Sequence, residues 1–290
     1  MSVKLAIVTL SDCEGCVVSL TDLGDEFLNI LRSCEIIYAP ELIDITREEW
    51  EADVCIVMGC ITSKKDYEEA KMLRKRCRRI VAYGTCAVYG GIPGLSLLVK
   101  LKDLVNIFST NVKLIKKALT RTKSLRDMIK VEYIIPGCPP PEELALNVIR
   151  AAINSKPQPP LPLRTVCEEC PLNSGKEKVM IDMKRWFEAS THLDNNKCLL
   201  EQGFLCLGFA TRAGCKAQCP RSGAVCTGCM GFVDEDSVKG LGRFLGGLGT
   251  AIKNLDIDLV ISKLPDPIGS FLRYVLPSVI KVNNNEENKH

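Results

Sequence analysis

Short apolar runs rich in β-branched residues recur along the first half of the chain, and segments with helical periodicity separate them. The runs typical of buried strands lie at residues 3–10, 35–38, 53–58, 80–83 and 131–135. Apolar positions spaced three and four apart predict helices near 20–31, 66–78 and 142–154. Strands that alternate with helices predict an α/β fold with a flavodoxin-like, doubly wound parallel sheet.

Three of these predicted strands run into loops that carry cysteine. Cys13 and Cys16 follow the first strand, Cys86 follows the fourth and Cys138 follows the fifth. The carboxyl ends of parallel strands meet at one edge of such a sheet, where ligands collect. Four unrelated buried cysteines are the alternative, since free cysteine is often buried. The position of these four favours a common thiolate site.

The amino-acid composition of the chain changes after residue 155. Residues 155–164 hold four prolines and predict a stiff linker. We therefore expect a sheet domain at 1–155, a cysteine-rich domain at 156–235, and a C-terminal helical segment with a polar tail at 236–290. Residues 94–130 are basic and poorly patterned, and we expect them to be partly helical.

Cysteines are most frequent between residues 167 and 229. This stretch contains eight cysteines: Cys167, Cys170, Cys198, Cys206, Cys215, Cys219, Cys226 and Cys229. Their number fits two further tetrathiolate sites, and each CxxC turn directs two sulfurs at one centre. Disulfides are the alternative, which the absence of any secretory pattern disfavours.

Composition narrows the class of protein. The chain has 290 residues, 16 cysteines and only two histidines, so sulfur would supply nearly all metal ligands. A net charge of +3 argues against nucleic acid as a partner. There is no apolar run long enough to span a membrane, so a reducing, cytoplasmic location is expected. Iron–sulfur clusters are favoured over zinc, because the first four cysteines spread across a whole sheet rather than a compact zinc ribbon.

The loops that carry these cysteines resemble those of [NiFe] hydrogenase small subunits. SDCEGCVVSL is similar to that family's CxGCxxS loop, YGTCAVYGGIPG to its GxCAxxGG loop and YIIPGCPPPEE to its PGCPP loop. The segments CEECP, CLGFATRAGCKAQCP and CTGCMG resemble the cluster-binding domain of the cytoplasmic group. The final segment, with LPDPIGSFLRY, is most similar to the F420-non-reducing (methyl-viologen-reducing) hydrogenases.

The resemblance implies three [4Fe–4S] clusters and an assignment of their ligands. The proximal cluster would take Cys13, Cys16, Cys86 and Cys138. The distal cluster would take Cys167, Cys170, Cys198 and Cys206, and the medial cluster Cys215, Cys219, Cys226 and Cys229. Membrane-associated relatives have a histidine in place of Cys167 and a proline in place of Cys219. All-thiolate ligation therefore predicts four irons per cluster and lower potentials, because thiolate charge favours the oxidised cluster.

The function implied is an electron relay. Hydrogen would be split in a separate nickel-containing large subunit, and no CxxC pair is left here to build that site. Electrons would leave for a downstream partner, either a [2Fe–2S] adaptor with heterodisulfide reductase or a flavin module. The alternatives are the small subunit of an NAD(P)-linked sulfhydrogenase, a complex-I-like iron–sulfur module and a structural zinc protein.

Several residues stay outside these ligand sets. Cys34, Cys55 and Cys77 are expected to be spare thiols, whereas Cys60 follows the third strand and could neighbour the proximal site. Glu14 is interpreted as a solvated loop acid and His192 as a packing residue. Asp182, Lys184 and Arg185 suggest an exposed helix face.

Overall fold

A five-stranded parallel sheet forms the centre of the N-terminal half of the chain. The computed structural model describes residues 2–44, 49–99, 119–175, 179–180, 182–184, 193–234, 236–264 and 266–280. The strands of this sheet are β1 (Val3–Thr9), β2 (Cys34–Tyr38), β3 (Ala52–Met58), β5 (Cys77–Tyr83) and β7 (Tyr133–Ile135). Their order is β2-β1-β3-β5-β7, which is the order of flavodoxin-like sheets. The predicted fold class is confirmed.

A second, two-stranded sheet was not predicted. Strand β4 (Ile61–Ser63) pairs antiparallel with β6 (Leu119–Lys123). The latter lies in the basic stretch where helix was expected, because the pairing partner is far away in the sequence and leaves no local pattern. Most of the remainder of that stretch, residues 100–118, lies outside the described residues.

Helices cover both faces of the larger sheet and make up most of the C-terminal part. The described helices are α1 Gly15–Thr21, α2 Asp25–Ser33, α3 Lys64–Arg76, α4 Thr85–Tyr89, α5 Leu125–Met128, α6 Glu142–Ile153, α7 Val166–Glu169, α8 Gln218–Arg221, α9 Ser237–Ile252, α10 Ile257–Lys263, α11 Pro267–Leu272 and α12 Leu276–Val279, with 3-10 turns at Ile92–Leu98 and Leu207–Phe209. Within the described ranges, no helix is long and apolar enough to cross a membrane.

Helix α3 begins and ends earlier than its pattern suggests. Ser63 caps its start and accepts a hydrogen bond from Asp66 N, while the Asp66 carboxylate accepts one from Ser63 N, forming a capping box. The predicted end at residue 78 is wrong, because Cys77 already belongs to β5 and pairs with Ala52 of β3. Arg78 and Arg79, which follow Cys77, are charged residues typical of a helix end, but the pairing of β5 with β3 makes them part of a strand.

Cys55 and Cys77 are not spare thiols. They form a disulfide across the neighbouring strands β3 and β5, with 6.0 Å between their Cα atoms. The prediction failed for a simple reason: their separation of 22 residues carries no sequence signal, and only the alignment of the two strands brings them together. Cys34 remains a free and partly buried thiol.

Two apolar cores lie on opposite faces of the sheet. One contains Leu20 and Phe27 from α1 and α2 together with Val148 from α6. The other joins the opposite face of the sheet to residues far along the chain, such as Phe244 and Val275. The C-terminal segment therefore packs on the same core as the sheet, next to the edge where the strands end.

Candidate metal centres

The first group of cysteines lies at the carboxyl edge of the parallel sheet. The loop after β1 is held by a backbone pair, with Ser11 N donating to Cys60 O (3.2 Å) and Cys60 N donating to Ser11 O (2.9 Å). Cys13 lies in this loop and is exposed, whereas Cys16 lies in the first turn of α1 and is buried. Cys86 lies at the start of α4 after β5, and Cys138 follows β7.

Two glycines make room for the sulfurs of this group. A Cβ at Gly84 would lie 2.4 Å from Cys16 Sγ, and one at Gly91 would lie 2.4 Å from Cys86 Sγ. Both glycines have positive φ values, 88° and 60°, which disfavour other residues independently of the space. Glycine is therefore required at these positions of the motifs GTC and GGIPG, because a side chain there would collide with the neighbouring cysteine sulfur.

The thiols of this group influence one another's ionisation. Burial, followed by the nearby Cys138 and Cys13, raises the pKa of Cys86 to about 12. Burial and then Cys86 raise the pKa of Cys16. Burial followed by Cys13 raises the pKa of Cys138. Three thiols that are unfavourable as free anions, Cys16, Cys86 and Cys138, fit a site where metal ions neutralise their charge.

Cys60 lies beside this group and is fully buried. Its thiol donates to the backbone carbonyl of Ser11 at 3.5 Å. Burial, followed by the neighbouring Cys86, raises its pKa. The position near the proximal group agrees with the expectation, and the hydrogen bond gives this thiol a partner of its own.

Asp12 is a residue that sequence reasoning missed. Its Oδ1 accepts from Glu14 N at 2.5 Å, whereas its Oδ2 is buried without a hydrogen-bond partner. Burial raises the pKa of Asp12. The sequence signal for Asp12 was its position directly before Cys13. Glu14 is exposed, in agreement with its interpretation as a solvated loop acid.

The second group surrounds a small apolar pocket. Cys167, Cys170, Cys198 and Cys206 all line it, together with Leu172, Leu199 and Pro220. Cys206 Sγ accepts from Cys226 N at 3.3 Å. Burial nevertheless raises the pKa of Cys206 to about 11, against the effect of the N–H groups of Gly208 and Cys226. The structure thus brings together all four cysteines predicted for the distal site.

The third group lies between the other two. Burial raises the pKa of Cys215, against the effect of the nearby backbone N–H groups of Ala217 and Gln218. Cys219 is nearby and exposed. Burial raises the pKa of Cys229 to about 12, with Cys215 and Cys219 among its neighbours. Cys226 is buried and has Cys206 as well as Cys229 as neighbours, so it lies where the second and third groups meet.

A buried carboxylate supports this third group, and sequence reasoning did not single it out. Glu169 Oε1 accepts from Gly214 N (3.0 Å) and Ala217 N (3.3 Å). Arg164 lies 3.8 Å from its other oxygen. Glu169 therefore joins the CEEC turn of the second group to the loop that carries Cys215.

The residues present fit iron–sulfur clusters. Each group supplies four thiols, and backbone N–H groups donate to several of the sulfurs, which is how proteins tune cluster potentials. Within the described ranges, no three His, Cys, Asp or Glu side chains are arranged to hold a single metal ion. The three ligand sets stay predictions of the sequence resemblance.

The remaining candidate residues lie elsewhere. The Asp182 and Lys184 side chains are 3.7 Å apart and half-exposed, in agreement with a surface position. The predicted helix is wrong at these two residues, because Lys184 forms a β-bridge with Phe204. His192, Arg185 and His290 lie outside the described residues.

Comparison with known proteins gives hydrogenase subunits, the same class of protein that the cysteine motifs resemble. The chain is 37% identical to a vhu-type F420-non-reducing hydrogenase subunit of Methanocaldococcus jannaschii, over 97% of each chain. It is 30% identical to the F420-non-reducing hydrogenase iron-sulfur subunit of Archaeoglobus profundus, over 97% of this chain and 98% of that one. It is also 30% identical to the delta subunit of sulfhydrogenase 2 of Pyrococcus furiosus, over 82% of this chain and 90% of the relative.

A family and a fold comparison agree with these relatives. Residues 13–152 match the family described as NADH ubiquinone oxidoreductase, 20 Kd subunit. The [NiFeSe]-hydrogenase of Dm. baculatum has a chain of the same fold, with a TM-score of 0.55 and 21% identity over 84% of this chain and 98% of that one. The full-length relatives cover both the sheet and the cysteine-rich part. The chain therefore belongs to the [NiFe] hydrogenase small subunits, in the F420-non-reducing group: it is the small subunit of an oxidoreductase whose active site lies in a separate large subunit.

Proposed function

We propose that this chain relays electrons from H2 oxidation in its large subunit through three [4Fe–4S] clusters to a heterodisulfide reductase complex in the cytoplasm. The observation that carries the proposal is the grouping of twelve cysteines into three adjacent sets, one at the sheet edge and two beyond it. Clusters at these sets would supply one-electron chemistry. The proximal set, with its exposed Cys13, would face the large subunit.

The chain's own residues have three tasks in this relay. Thiols supply the ligands, and the glycines beside Cys16 and Cys86 let the backbone come close to the sulfurs. The backbone N–H of Cys226 donates to Cys206 Sγ, and this N–H and those near Cys215 would offset part of the negative charge of a reduced cluster. Apolar walls, such as Leu172 and Leu199 at the distal set, would exclude water.

The downstream partner has two candidates. A [2Fe–2S] adaptor with heterodisulfide reductase suits the F420-non-reducing group. A flavin module that serves NAD(P) is the second candidate, and the 30% identity to a sulfhydrogenase subunit favours it. Purification of the native complex under anaerobic conditions separates the two, because the co-purified subunits would contain either heterodisulfide reductase or bound flavin.

The cluster content gives the sharpest test of the proposal. Iron-loaded wild-type chain is expected to hold about twelve irons, and Cys198→Ser about a third fewer, because each site needs four ligands. Cys34→Ser is the matched control, since Cys34 is partly buried and outside every set. Iron analysis and absorbance near 400 nm measure the outcome. About four irons in wild type, or equal iron in wild type and Cys198→Ser, would contradict the proposal.

A further inference from the structure

Arg212 is fully enclosed in the cysteine-rich part of the chain. Its exposed fraction is 0%, and its side chain is among the largest of those that are fully buried. The guanidinium of arginine cannot be deprotonated in proteins, so a positive charge lies in this interior. A charge that loses its water needs hydrogen bonds and an opposite charge in exchange. The partners of Arg212 therefore indicate which groups surround it.

Among the described residues, the guanidinium of Arg212 has one hydrogen-bond partner. Its Nη1 donates to the carbonyl oxygen of Pro162 at 2.8 Å. Its Nε and Nη2 are buried without a hydrogen-bond partner, and no carboxylate within the described ranges forms an ion pair with it. Arg164, close in the fold, differs, because its exposed guanidinium lies 3.8 Å from the carboxylate of Glu169. The charge of Arg212 is thus not balanced by a described carboxylate.

The backbone of Arg212 lies between segments that carry cysteines. Arg212 N donates to Gly231 O at 2.9 Å, and Gly231 is two residues after Cys229. Cys215 follows Arg212 by three residues. Thr165 forms an antiparallel bridge with Arg212 on the other side. The segments that hold Arg212 are thus residues 164–170, 211–215 and 229–232, and Cys215 and Cys229 both belong to the medial set.

The two acids on these segments are engaged elsewhere. Glu169 accepts from two backbone N–H groups of the loop around Cys215, at 3.0 and 3.3 Å, and its other oxygen faces Arg164. Glu168 accepts from Thr165 N at 2.7 Å. The cysteines are therefore the remaining side chains on these three segments that can carry negative charge.

We infer that the buried guanidinium of Arg212 is the counter-ion of the metal centre held by the medial set, and that its charge favours the reduced state of that centre. The inference rests on the proposed function. Four thiolates carry more negative charge than an iron–sulfur core neutralises, so the filled set is an anion. Little water screens two opposite charges that share one interior. Reduction adds a further negative charge, which a buried cation stabilises.

The test uses the iron-loaded complex of this chain with its large subunit. Arg212→Met removes the charge and keeps a long side chain, and Arg212→Gln removes the charge but keeps a donor for Pro162 O. Arg212→Lys keeps the charge. Arg164→Met is the matched control, since it removes a positive charge from the same part of the fold at a side chain that is 60% exposed.

Redox titration followed by electron paramagnetic resonance measures the ratio of reduced to oxidised medial centre at each potential. Arg212→Met and Arg212→Gln are expected to lower this ratio about tenfold at a fixed potential, because a buried charge is lost. Arg212→Lys should change the ratio less than about threefold, since a positive charge remains. Arg164→Met should also stay within about threefold, because water and salt screen an exposed charge.

Iron content gives a second measurement in case the neutral variants do not hold their metal. Wild type and Arg212→Lys are expected to contain about twelve irons. Loss of about four irons in both neutral variants, with full iron in Arg212→Lys, would show the same dependence on charge and support the inference. An equal loss in Arg212→Lys would overturn it, because the charge would then not be the property that matters.

The other outcomes separate this inference from the proposed function. A wild type with about twelve irons and an unchanged ratio in both neutral variants overturns the inference alone, and buried water or a small anion would then balance the guanidinium. An equal fall in Arg164→Met or in Arg212→Lys also overturns it, since buried charge would not be the cause. Wild type with about four irons overturns the proposed function.

Discussion

Single residues around the proximal set divide into ligands and supports. Cys86 lies close enough to Cys60 to raise the pKa of the Cys60 thiol, yet that thiol donates to the Ser11 carbonyl. The backbone of Cys60 also pairs with Ser11 through two hydrogen bonds. These contacts indicate that Cys60 supports the loop that carries Cys13.

Cys60→Ala should therefore keep a full set of irons. The change removes one weak hydrogen bond and a buried sulfur, so the free energy of unfolding should fall by about 1 to 2 kcal/mol. Iron analysis and denaturant unfolding of the iron-loaded chain measure the two effects. Loss of about four irons would instead make Cys60 a ligand.

Short elements at the sheet edge depend on a buried carboxylate. Asp66 Oδ2 accepts from the hydroxyl of Ser11 (2.8 Å), from Thr62 N (3.0 Å) and from Ser63 N (2.9 Å). Burial alone would raise the pKa of Asp66, but the hydrogen bonds from Ser63, Thr62 and Ser11 outweigh it and lower the pKa. The Asp66 carboxylate thus joins three elements by hydrogen bonds: strand β4, the start of α3 and the loop after β1.

Asp66→Asn should lower the free energy of unfolding by about 2 kcal/mol near neutral pH, since hydrogen bonds to a charged acceptor are lost. Because the folded pKa is below the ordinary value, the stabilisation exists above that value and disappears as pH falls through the folded pKa. The difference from wild type should therefore begin to shrink below about pH 4 and vanish only below the folded pKa. Denaturant unfolding at several pH values measures it, with the exposed Asp25→Asn as control. A difference independent of pH would contradict the role of the charge.

The link between strands β3 and β5 gives a second prediction for the elements. Replacing Cys55 and Cys77 by alanine opens the disulfide, and its loop of 22 residues corresponds to about 3 kcal/mol of unfolding free energy in the loop-entropy model. Denaturant unfolding of the iron-loaded chain measures the loss. Thiol labelling of the denatured chain without reductant checks the bond itself: if both cysteines are labelled, no disulfide exists.

At the scale of the whole molecule, the proposed relay function leaves no cysteine pair in this chain to build a nickel site. All sixteen cysteines are described, and those outside the three sets are the disulfide pair and the separate Cys34 and Cys60. A nickel site would need two further CxxC pairs. The C-terminal segment packs on the sheet core close to the junction of the proximal and medial sets.

The isolated, iron-loaded chain should therefore consume no H2. Addition of the purified large subunit should restore H2-dependent reduction of methyl viologen. A gas-uptake assay measures both, and the large subunit by itself is the control. H2 consumption by this chain alone would place a catalytic site where none is expected.

The sequence by itself determined the sheet, its strand-end loops and the twelve candidate ligands. Apolar runs and helical spacing are local signals, and cysteine motifs such as GTC and PGCPP are local as well. The alternation of strands and helices limits the topology, because parallel neighbours require crossover connections. Flavodoxin-like strand order and the convergence of Cys16, Cys86 and Cys138 at one edge follow from that constraint.

Only the tertiary structure decided which distant residues touch. The Cys55–Cys77 disulfide, the β4–β6 pair and the Asp66 network join segments whose separation in sequence carries no pattern. The same holds for Thr85 and Cys229, which are 144 residues apart. Cysteine spacing can suggest which thiols share a site, whereas the hydrogen bonds between one site and the next depend on how distant segments of the chain pack. The physical reason is that packing is set by the fit of whole surfaces, to which each residue contributes only a part.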